Sequence, residues 1–219
     1  IQQLDTEVAN LTNDKNALTA KNAANEQVIA NQDKAMHTAW YVIAKKKSLK
    51  EQNDAVIVAV GAWKSSSMRS PGEELEGVYG GIDFLRSVIK GNAPAIGDRV
   101  VICGGGNTAM DACRTAVRLG AKEVYVVYRR TRNEMPADKL EIDEAEEEGV
   151  IYKFLTNPLS FNGENGKVSS ITLQIMELGE PDESGRRRPI EKKDSQFDLP
   201  VDCVIMSIGT SPNPLIRST

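Results

Sequence analysis

A short glycine-rich loop constrains the fold of this chain more than any other feature. Gly104, Gly106 and Ala109 stand in a G-x-G-x-x-A pattern. The pattern follows the apolar run 99–104 directly and opens residues 107–120, whose spacing predicts a helix closed by a glycine. A strand, a glycine turn and a helix in this order are typical of a Rossmann-type unit. We therefore expect the loop at the carboxyl end of a parallel strand.

The sequence after Asp54 alternates between short apolar runs and helical stretches. We expect strands at 55–61, 99–104, 123–130, 151–155 and 202–210, and helices at 81–91, 107–120 and 138–149. This alternation predicts an α/β fold with a Rossmann-type parallel sheet. Residues 168–177 alternate like an exposed strand, a turn follows at 181–189, and a returning strand comes after it. The stretch of about 160–200 is therefore predicted to be an antiparallel excursion from the sheet.

The first 52 residues differ in composition from the rest. All 17 glycines and all 9 prolines of the chain follow Asn53. Apolar residues at Ile1, Leu4, Val8 and Leu11 recur at a spacing of three to four, so residues 1–52 are predicted to form a long N-terminal helix. Two arrangements stay open at this point, a coiled coil that makes homo-oligomers and a single amphipathic helix that lies on the second part.

Charge and residue usage exclude several classes of protein. The 27 basic and 31 acidic side chains give a net charge of −4, which does not suit a general nucleic-acid binder. No apolar run is long enough for a membrane span. Cys103, Cys113 and Cys203 form no C-x-x-C pair and fit reduced, buried thiols in a cytoplasmic protein. With His37 as the sole histidine, we expect no metal site and assign no catalytic residue.

The glycine loop has the chemistry of a dinucleotide site. Gly104 allows a tight turn, Gly106 has no side chain to keep a pyrophosphate from the backbone, and Ala109 lets the helix pack closely on the strand. The amino end of that helix offers free amides and a positive dipole end to phosphates. A purely structural turn is the alternative.

Two arginines favour NADP over NAD. Arg129 and Arg130 end the second predicted strand, where NAD enzymes usually carry an acidic residue that holds the ribose 2′-hydroxyl. Arginines would instead bind a 2′-phosphate, and Arg132 is a weaker third candidate. A surface arginine pair is the alternative. We interpret the acidic run 144–148 as a solvated helix face, and the basic residues in 185–189 as charges on a turn rather than an anion site.

From about Asp54 to its end, the chain resembles the small (beta) subunit of glutamate synthase and related NADPH:flavin oxidoreductases. The resemblance lies in DAVIVAVGAWKS, PGEELEGVYGGIDFLRSV, VVICGGGNTAMDACRTAVRLGA, VYRRTRNEMPA and DCVIMSIGTSPNP, in that order. It implies an NADPH domain inserted within an FAD domain, with hydride transfer from NADPH to FAD. It also assigns roles to particular residues: Gly104, Gly106, Asn107 and Thr108 on the pyrophosphate, Arg129 and Arg130 on the 2′-phosphate, Gly61 and Gly209 at the crossing points between domains, and Gly209 with Thr210 near flavin or nicotinamide.

The resemblance also implies a division of the chain. Residues 1–52 form a helix foreign to the family, 54–96 an FAD-domain-like strand and linker, and 97–219 the NADPH domain, which ends in an FAD-domain-like strand. Neither the family's clustered cysteines nor its earlier glycine-rich FAD loop is visible, so we expect an incomplete NADPH-binding module. A larger glutamate synthase-type subunit, or the missing FAD and iron–sulfur part, would be its partner.

The sequence leaves two questions and two alternative readings open. The questions are whether FAD binds to this chain and whether the chain is an enzyme alone. One alternative to the NADPH module is a non-catalytic NADP-binding scaffold or sensor that oligomerises through residues 1–52. Another is a complete reductase with bound flavin.

Overall fold

The computed structural model describes residues 51–55, 57, 61–181 and 187–212. The predicted N-terminal helix up to residue 50, its coiled-coil pairing and most of the strand predicted at 55–61 lie outside these residues. The chain divides into two compact units, one of which consists of residues 61–213. The domain boundaries expected from the sequence stay predictions.

This unit contains ten strands and three α-helices among its described residues. The strands are β1 Lys64–Ser65, β2 Val78–Gly80, β3 Arg99–Cys103, β4 Glu123–Tyr128, β5 Ile151–Phe154, β6 Thr156–Glu164, β7 Lys167–Pro181, β8 Arg187–Pro200, β9 Cys203–Met206 and β10 Thr210–Ser211. The helices are α1 Gly81–Ile89, α2 Asn107–Arg118 and α3 Lys139–Glu147, and one 3₁₀ turn spans Arg132–Glu134.

A parallel sheet of five strands forms the centre of the unit. Its order is β2-β9-β3-β4-β5, and every neighbouring pair is parallel. Strand side chains alternate between the two faces: Val100 and Ile102 of β3 face the helices, whereas Val101 and Cys103 face the opposite layer. Because both faces are covered, the central strands are apolar at nearly every position. The predicted α/β fold with a parallel sheet is confirmed.

The helices cover one face of this sheet. Helix α2 buries a stripe of mostly small residues, which allows close packing on β3 and β4. Helix α3 begins at Asp138, whose carboxylate accepts a hydrogen bond from the Leu140 amide at 2.9 Å. Arg114 of α2 pairs with Glu141, Glu144 and Glu148 of the α3 region, each at 2.7–2.8 Å. The interpretation of the acidic run 144–148 as a solvated helix face is therefore wrong in part, since the carboxylates of Glu144 and Glu148 join the α3 region to α2.

The three-stranded antiparallel sheet β6-β7-β8 covers the opposite face. The predicted antiparallel excursion is confirmed, but β7 is central and half-buried rather than exposed, with Ile171 and Leu173 fully buried. The bounds predicted for the turn, 181–189, are also wrong at both ends, because Pro181 belongs to β7 and Arg187 begins β8. Strand β4 ends at Tyr128, two residues earlier than predicted, so the arginine pair lies in the turn after it.

A two-stranded antiparallel ribbon lies where the chain enters and leaves the unit. In this ribbon β1 pairs with β10, so that Lys64 lies opposite Ser211. The amide of Ser66 extends the pairing by donating to the Gly209 carbonyl at 3.0 Å. Within the described ranges, no helix is long and apolar enough to cross a membrane.

The three cysteines are predicted to resist alkylation in the folded chain. All three are free and buried, and burial raises the pKa of Cys103, Cys113 and Cys203 to about 12. At pH 8 these groups are therefore protonated thiols, which are weak nucleophiles. Iodoacetamide at pH 8 should modify no cysteine of the native chain and all three after unfolding in guanidinium, as read by intact mass. Rapid modification of native Cys103 would contradict the packing around β3.

Packing between the two sheets is tested by two isoleucines of β7. Ile171 is fully buried against the central sheet, whereas Ile175 is 39% exposed. Ile171→Ala should lower the free energy of unfolding by about 2–5 kcal/mol, because it leaves a cavity. Ile175→Ala, the matched change on the same strand, should cost less than half as much. Urea unfolding followed by circular dichroism measures both, and equal losses would contradict the described layering.

Candidate functional site: a cleft at the carboxyl ends of the parallel strands

An open cleft of about 800 Å³ lies at the carboxyl ends of β3, β4 and β9. Eight of the ten residues selected from the sequence line it: Gly104, Gly106, Asn107, Thr108, Arg129, Arg130, Gly209 and Thr210. Ala109 lies beneath the loop with no exposed surface, where it packs in the core. Gly61 is exposed and is not among the lining residues. The fold thus gathers one loop, one arginine turn and the end of β9 around a single space.

Gly104 is required by the fold itself. Its φ is +141°, and a Cβ there would lie 2.3 Å from the main-chain oxygen of Ser207. Its amide donates to the Val127 carbonyl at 3.1 Å, and the Ser207 amide donates to the Cys103 carbonyl at 2.8 Å. The turn after β3 is therefore held between its two neighbouring strands, with no room for a side chain.

Gly105, which the sequence analysis did not select, packs against an aromatic ring. A Cβ at Gly105 would lie 2.7 Å from the Tyr128 ring. The Tyr128 hydroxyl donates to the Glu134 carbonyl at 2.7 Å, and the Ala137 amide donates to the Gly105 carbonyl at 3.1 Å. These contacts fix the segment after the arginines against the glycine loop.

Gly106 leaves the amino end of α2 open towards the cleft. It is the N-cap residue of α2, with φ −96°, and no side chain makes a capping hydrogen bond to this helix end. The first turn of α2 contains no acidic residue. A Cβ there would have Pro136 at 3.9 Å as its nearest described neighbour, so the protein itself does not exclude a side chain. The side-chain oxygen of Asn107 accepts from the Asp138 amide at 2.9 Å, which leaves its NH₂ group for other acceptors. An anion is the ligand that such an end favours.

The arginine turn supplies positive charge at another part of the cleft. Arg129 is exposed and Arg130 half-buried, and no ion pair joins either of them to a carboxylate in residues 61–181 or 187–212. Arg132 differs, because it pairs with Asp143 and Glu146 of α3. Among the described residues, no carboxylate neutralises the charge of Arg129 or Arg130, whereas Arg132 joins the turn to the helix layer.

Glu134 stabilises the arginine turn from within. Its carboxylate accepts hydrogen bonds from both the amide and the hydroxyl of Thr131, in a capping box that closes the 3₁₀ turn. Hydrogen bonding from Thr131 holds the pKa of Glu134 below its usual range. The acid therefore stays ionised at neutral pH, and its described contacts are structural.

Ser207 is a lining residue that the sequence analysis missed. It is 8% exposed and follows β9 directly, and its Oγ has no hydrogen-bond partner in the part of the chain that the structure describes. The amino end of α1 lies beside it, since a Cβ on Gly81 would be 2.4 Å from that Oγ. The only signal in the sequence is the glycine-ended run VIMSIG, which does not reveal a buried unpaired hydroxyl.

Comparison with curated proteins gives similar segments in several larger oxidoreductases. The chain is 46% identical over 165 residues to the NADP(+)-dependent formate dehydrogenase subunit beta of Moorella thermoacetica, a match that covers 74% of this chain and 23% of that protein. It is 46% identical over 171 residues to the NADPH-Fe(3+) oxidoreductase subunit beta of Geobacter sulfurreducens, covering 76% and 25%. The match to the glutamate synthase [NADPH] small chain of Escherichia coli K12 is 42% identical and covers 73% and 36%.

These relatives confirm the resemblance to the glutamate synthase small subunit. The chain spans about a quarter to a third of the length of these relatives. Among solved structures, Mycobacterium tuberculosis FprA in complex with NADPH matches with a TM-score of 0.69 and 24% identity, over 77% of this chain and 52% of that one, which shows the shared fold. The family model described as pyridine nucleotide-disulphide oxidoreductase matches residues 1–219. The chain therefore belongs to the pyridine nucleotide-disulphide oxidoreductase family.

Proposed function

We propose that the cleft binds NADP(H) and that this unit presents NADPH for hydride transfer to FAD. The observation that carries the proposal is the pairing of an uncapped helix end, open at Gly106, with two arginines that lack carboxylate partners among the described residues. The uncapped helix end suits a pyrophosphate, and the two arginines suit the 2′-phosphate that distinguishes NADP from NAD. The names of three relatives, which specify NADP or NADPH, support the same cofactor.

Two further observations support the fit of a dinucleotide. At Gly106, where a phosphate would approach the backbone, the nearest described atom to a Cβ position is that of Pro136 at 3.9 Å, so the protein does not crowd this point. The buried Ser207 hydroxyl lines the same cleft and lacks a partner among the residues that the structure describes, so it can donate to a polar group of the ligand. A buried hydroxyl without a partner costs free energy, and a bound ligand would remove that cost.

The proposed division of roles follows from position. The amino end of α2, with Gly104, Gly106, Asn107 and Thr108, holds the pyrophosphate. Arg129 and Arg130 bind the 2′-phosphate, and Gly209 and Thr210 lie beside the nicotinamide half. When bound, NADPH supplies the hydride, and the chain's own residues orient it and keep its charges neutralised.

Hydride transfer needs an acceptor, which we propose is FAD. Gly61 and Gly209 would mark the two crossings between the NADPH unit and an FAD domain, and residues 54–96 and the end of 97–219 would contribute to the junction. We also propose that the protein works within a larger assembly, because the relatives are named as beta subunits and a small chain.

The 2′-phosphate assignment is tested by removing both arginines. Arg129→Ala with Arg130→Ala should weaken NADPH binding by about tenfold to over a hundredfold, because charge-assisted hydrogen bonds are lost. NADH binding should change little. Lys192→Ala with Lys193→Ala removes the same charge from exposed β8, outside the cleft, and should leave both affinities unchanged. Titration followed by nucleotide fluorescence measures each, and an equal loss for the two nucleotides would reject the assignment.

Substitution of two glycines in the same loop tests whether the pyrophosphate binds at the amino end of α2. Gly106→Ala should leave the melting temperature nearly unchanged and weaken NADPH and NADH alike by at least about tenfold, since its methyl group would occupy the phosphate position. Gly104→Ala should instead destabilise the fold by about 1–3 kcal/mol or more, because its backbone is left-handed and crowded. Calorimetry and nucleotide titration separate the two effects. Full NADPH affinity in a folded Gly106→Ala chain would place the pyrophosphate elsewhere.

A further inference from the structure

Arg130 is held by the antiparallel sheet as well as by its own turn. Its side chain lines the cleft, and its Nε donates to the main-chain oxygen of Arg187 at 3.0 Å. A guanidinium group has five N–H donors in one plane, and Nε supplies one of them. With that donor fixed to the protein, the orientation of the two terminal nitrogens is restricted, and no hydrogen bond joins their four N–H groups to another described residue.

Arg187 is in turn fixed by two carbonyls of β7. Its Nε donates to the Gly179 oxygen and its Nη2 to the Leu178 oxygen, each at 3.0 Å. The β7–β8 ladder is irregular at this point, and Pro189, which lies opposite Leu178, has no amide hydrogen to donate. The Arg187 side chain thus supplies donors that the ladder lacks, and it does not line the cleft.

Arg187 also contributes charge beside the arginine turn. The pKa of Glu134 is lowered mainly by hydrogen bonds from Thr131, and attraction to Arg187 adds to that effect. Arg187, one of the basic residues that the sequence analysis interprets as charges on a turn, therefore lies next to the turn that carries Arg129 and Arg130.

Given the proposed binding of NADP(H), we propose that Arg187 is a positioning residue for the 2′-phosphate. Its guanidinium holds its own main-chain carbonyl in place through β7, and that carbonyl orients the guanidinium of Arg130 towards the phosphate. The selectivity for NADPH over NADH then depends on the β7–β8 hairpin as well as on the Rossmann-type sheet. A guanidinium group that is already fixed at one edge loses less conformational freedom on binding a phosphate than a mobile one does.

Three variants of the whole protein test this series of contacts, which runs from β7 through Arg187 to Arg130. Arg187→Ala removes both hydrogen bonds to β7, and Arg187→Lys keeps the charge but has no planar fork to span two carbonyls. Arg188→Ala is the matched control, because it removes the same charge from the next residue, whose side chain points to the opposite face of β8. Each is titrated with NADPH and NADH, alone and in the Arg130→Ala background.

We expect Arg187→Ala and Arg187→Lys to weaken NADPH by about threefold to tenfold, with NADH unchanged. Arg188→Ala should change NADPH affinity less than about twofold. In the Arg130→Ala background, Arg187→Ala should have almost no further effect, since its action passes through Arg130. Equal losses in Arg187→Ala and Arg188→Ala, full affinity in Arg187→Lys, or an undiminished effect without Arg130 would each overturn the proposal.

A second measurement needs no nucleotide. The side-chain Nε–H signal of Arg130 in a ¹⁵N spectrum, assigned by its loss in Arg130→Ala, should exchange slowly with water in the wild-type chain and in Arg188→Ala. It should exchange rapidly in Arg187→Ala. Rapid exchange in the wild-type chain would overturn the positioning role. Slow exchange in a wild-type chain that binds NADPH and NADH equally would instead reject the proposed function.

Discussion

The exit of β3 is fixed by hydrogen bonds on both of its sides, and the geometry of the cleft depends on them. The Gly104 amide is bonded to β4 through Val127, and the Cys103 carbonyl accepts from Ser207 directly after β9. These two bonds set where α2 begins, and they bring the arginine turn and the end of β9 to the same edge of the sheet. If the β3 exit moved by one residue, the helix end, the arginines and Ser207 would no longer face one space.

The glycines of this loop show that one motif can combine different constraints. Neighbouring protein atoms leave no room for a side chain at Gly104, which lies against the main chain of Ser207, or at Gly105, which lies against the ring of Tyr128. Gly106 has no described neighbour that would crowd a Cβ, since Pro136 would lie at an ordinary contact distance of 3.9 Å. The fold thus requires glycine at 104 and 105, whereas at 106 it leaves room for a side chain.

Much of the fold could be predicted from the sequence, because the central strands and the helices have strong local signals. Apolar runs such as 99–104 and glycine stops such as Gly120 correspond closely to β3 and the end of α2. The prediction failed where the cause was not local. The half-buried state of β7 depends on the sheet that it covers, and the partners of Glu148 are two arginines in another helix, Arg114 and Arg118.

The site was predictable in part for the same reason. The glycine loop and the arginine pair are contiguous motifs, and their presence around one cleft follows from parallel topology. Ser207 and Arg187 carry no motif of their own. Their contacts arise between segments far apart in the chain, with Arg130 and Arg187 joined across 57 positions. Sequence periodicity contains no information about such pairs.

The β1–β10 ribbon places the entry and the exit of residues 61–213 side by side, with Lys64 opposite Ser211. A unit whose two ends are adjacent can be inserted into a surface loop of a host protein without stretching that host. Genetic recombination could therefore move this unit between reductases as one cassette.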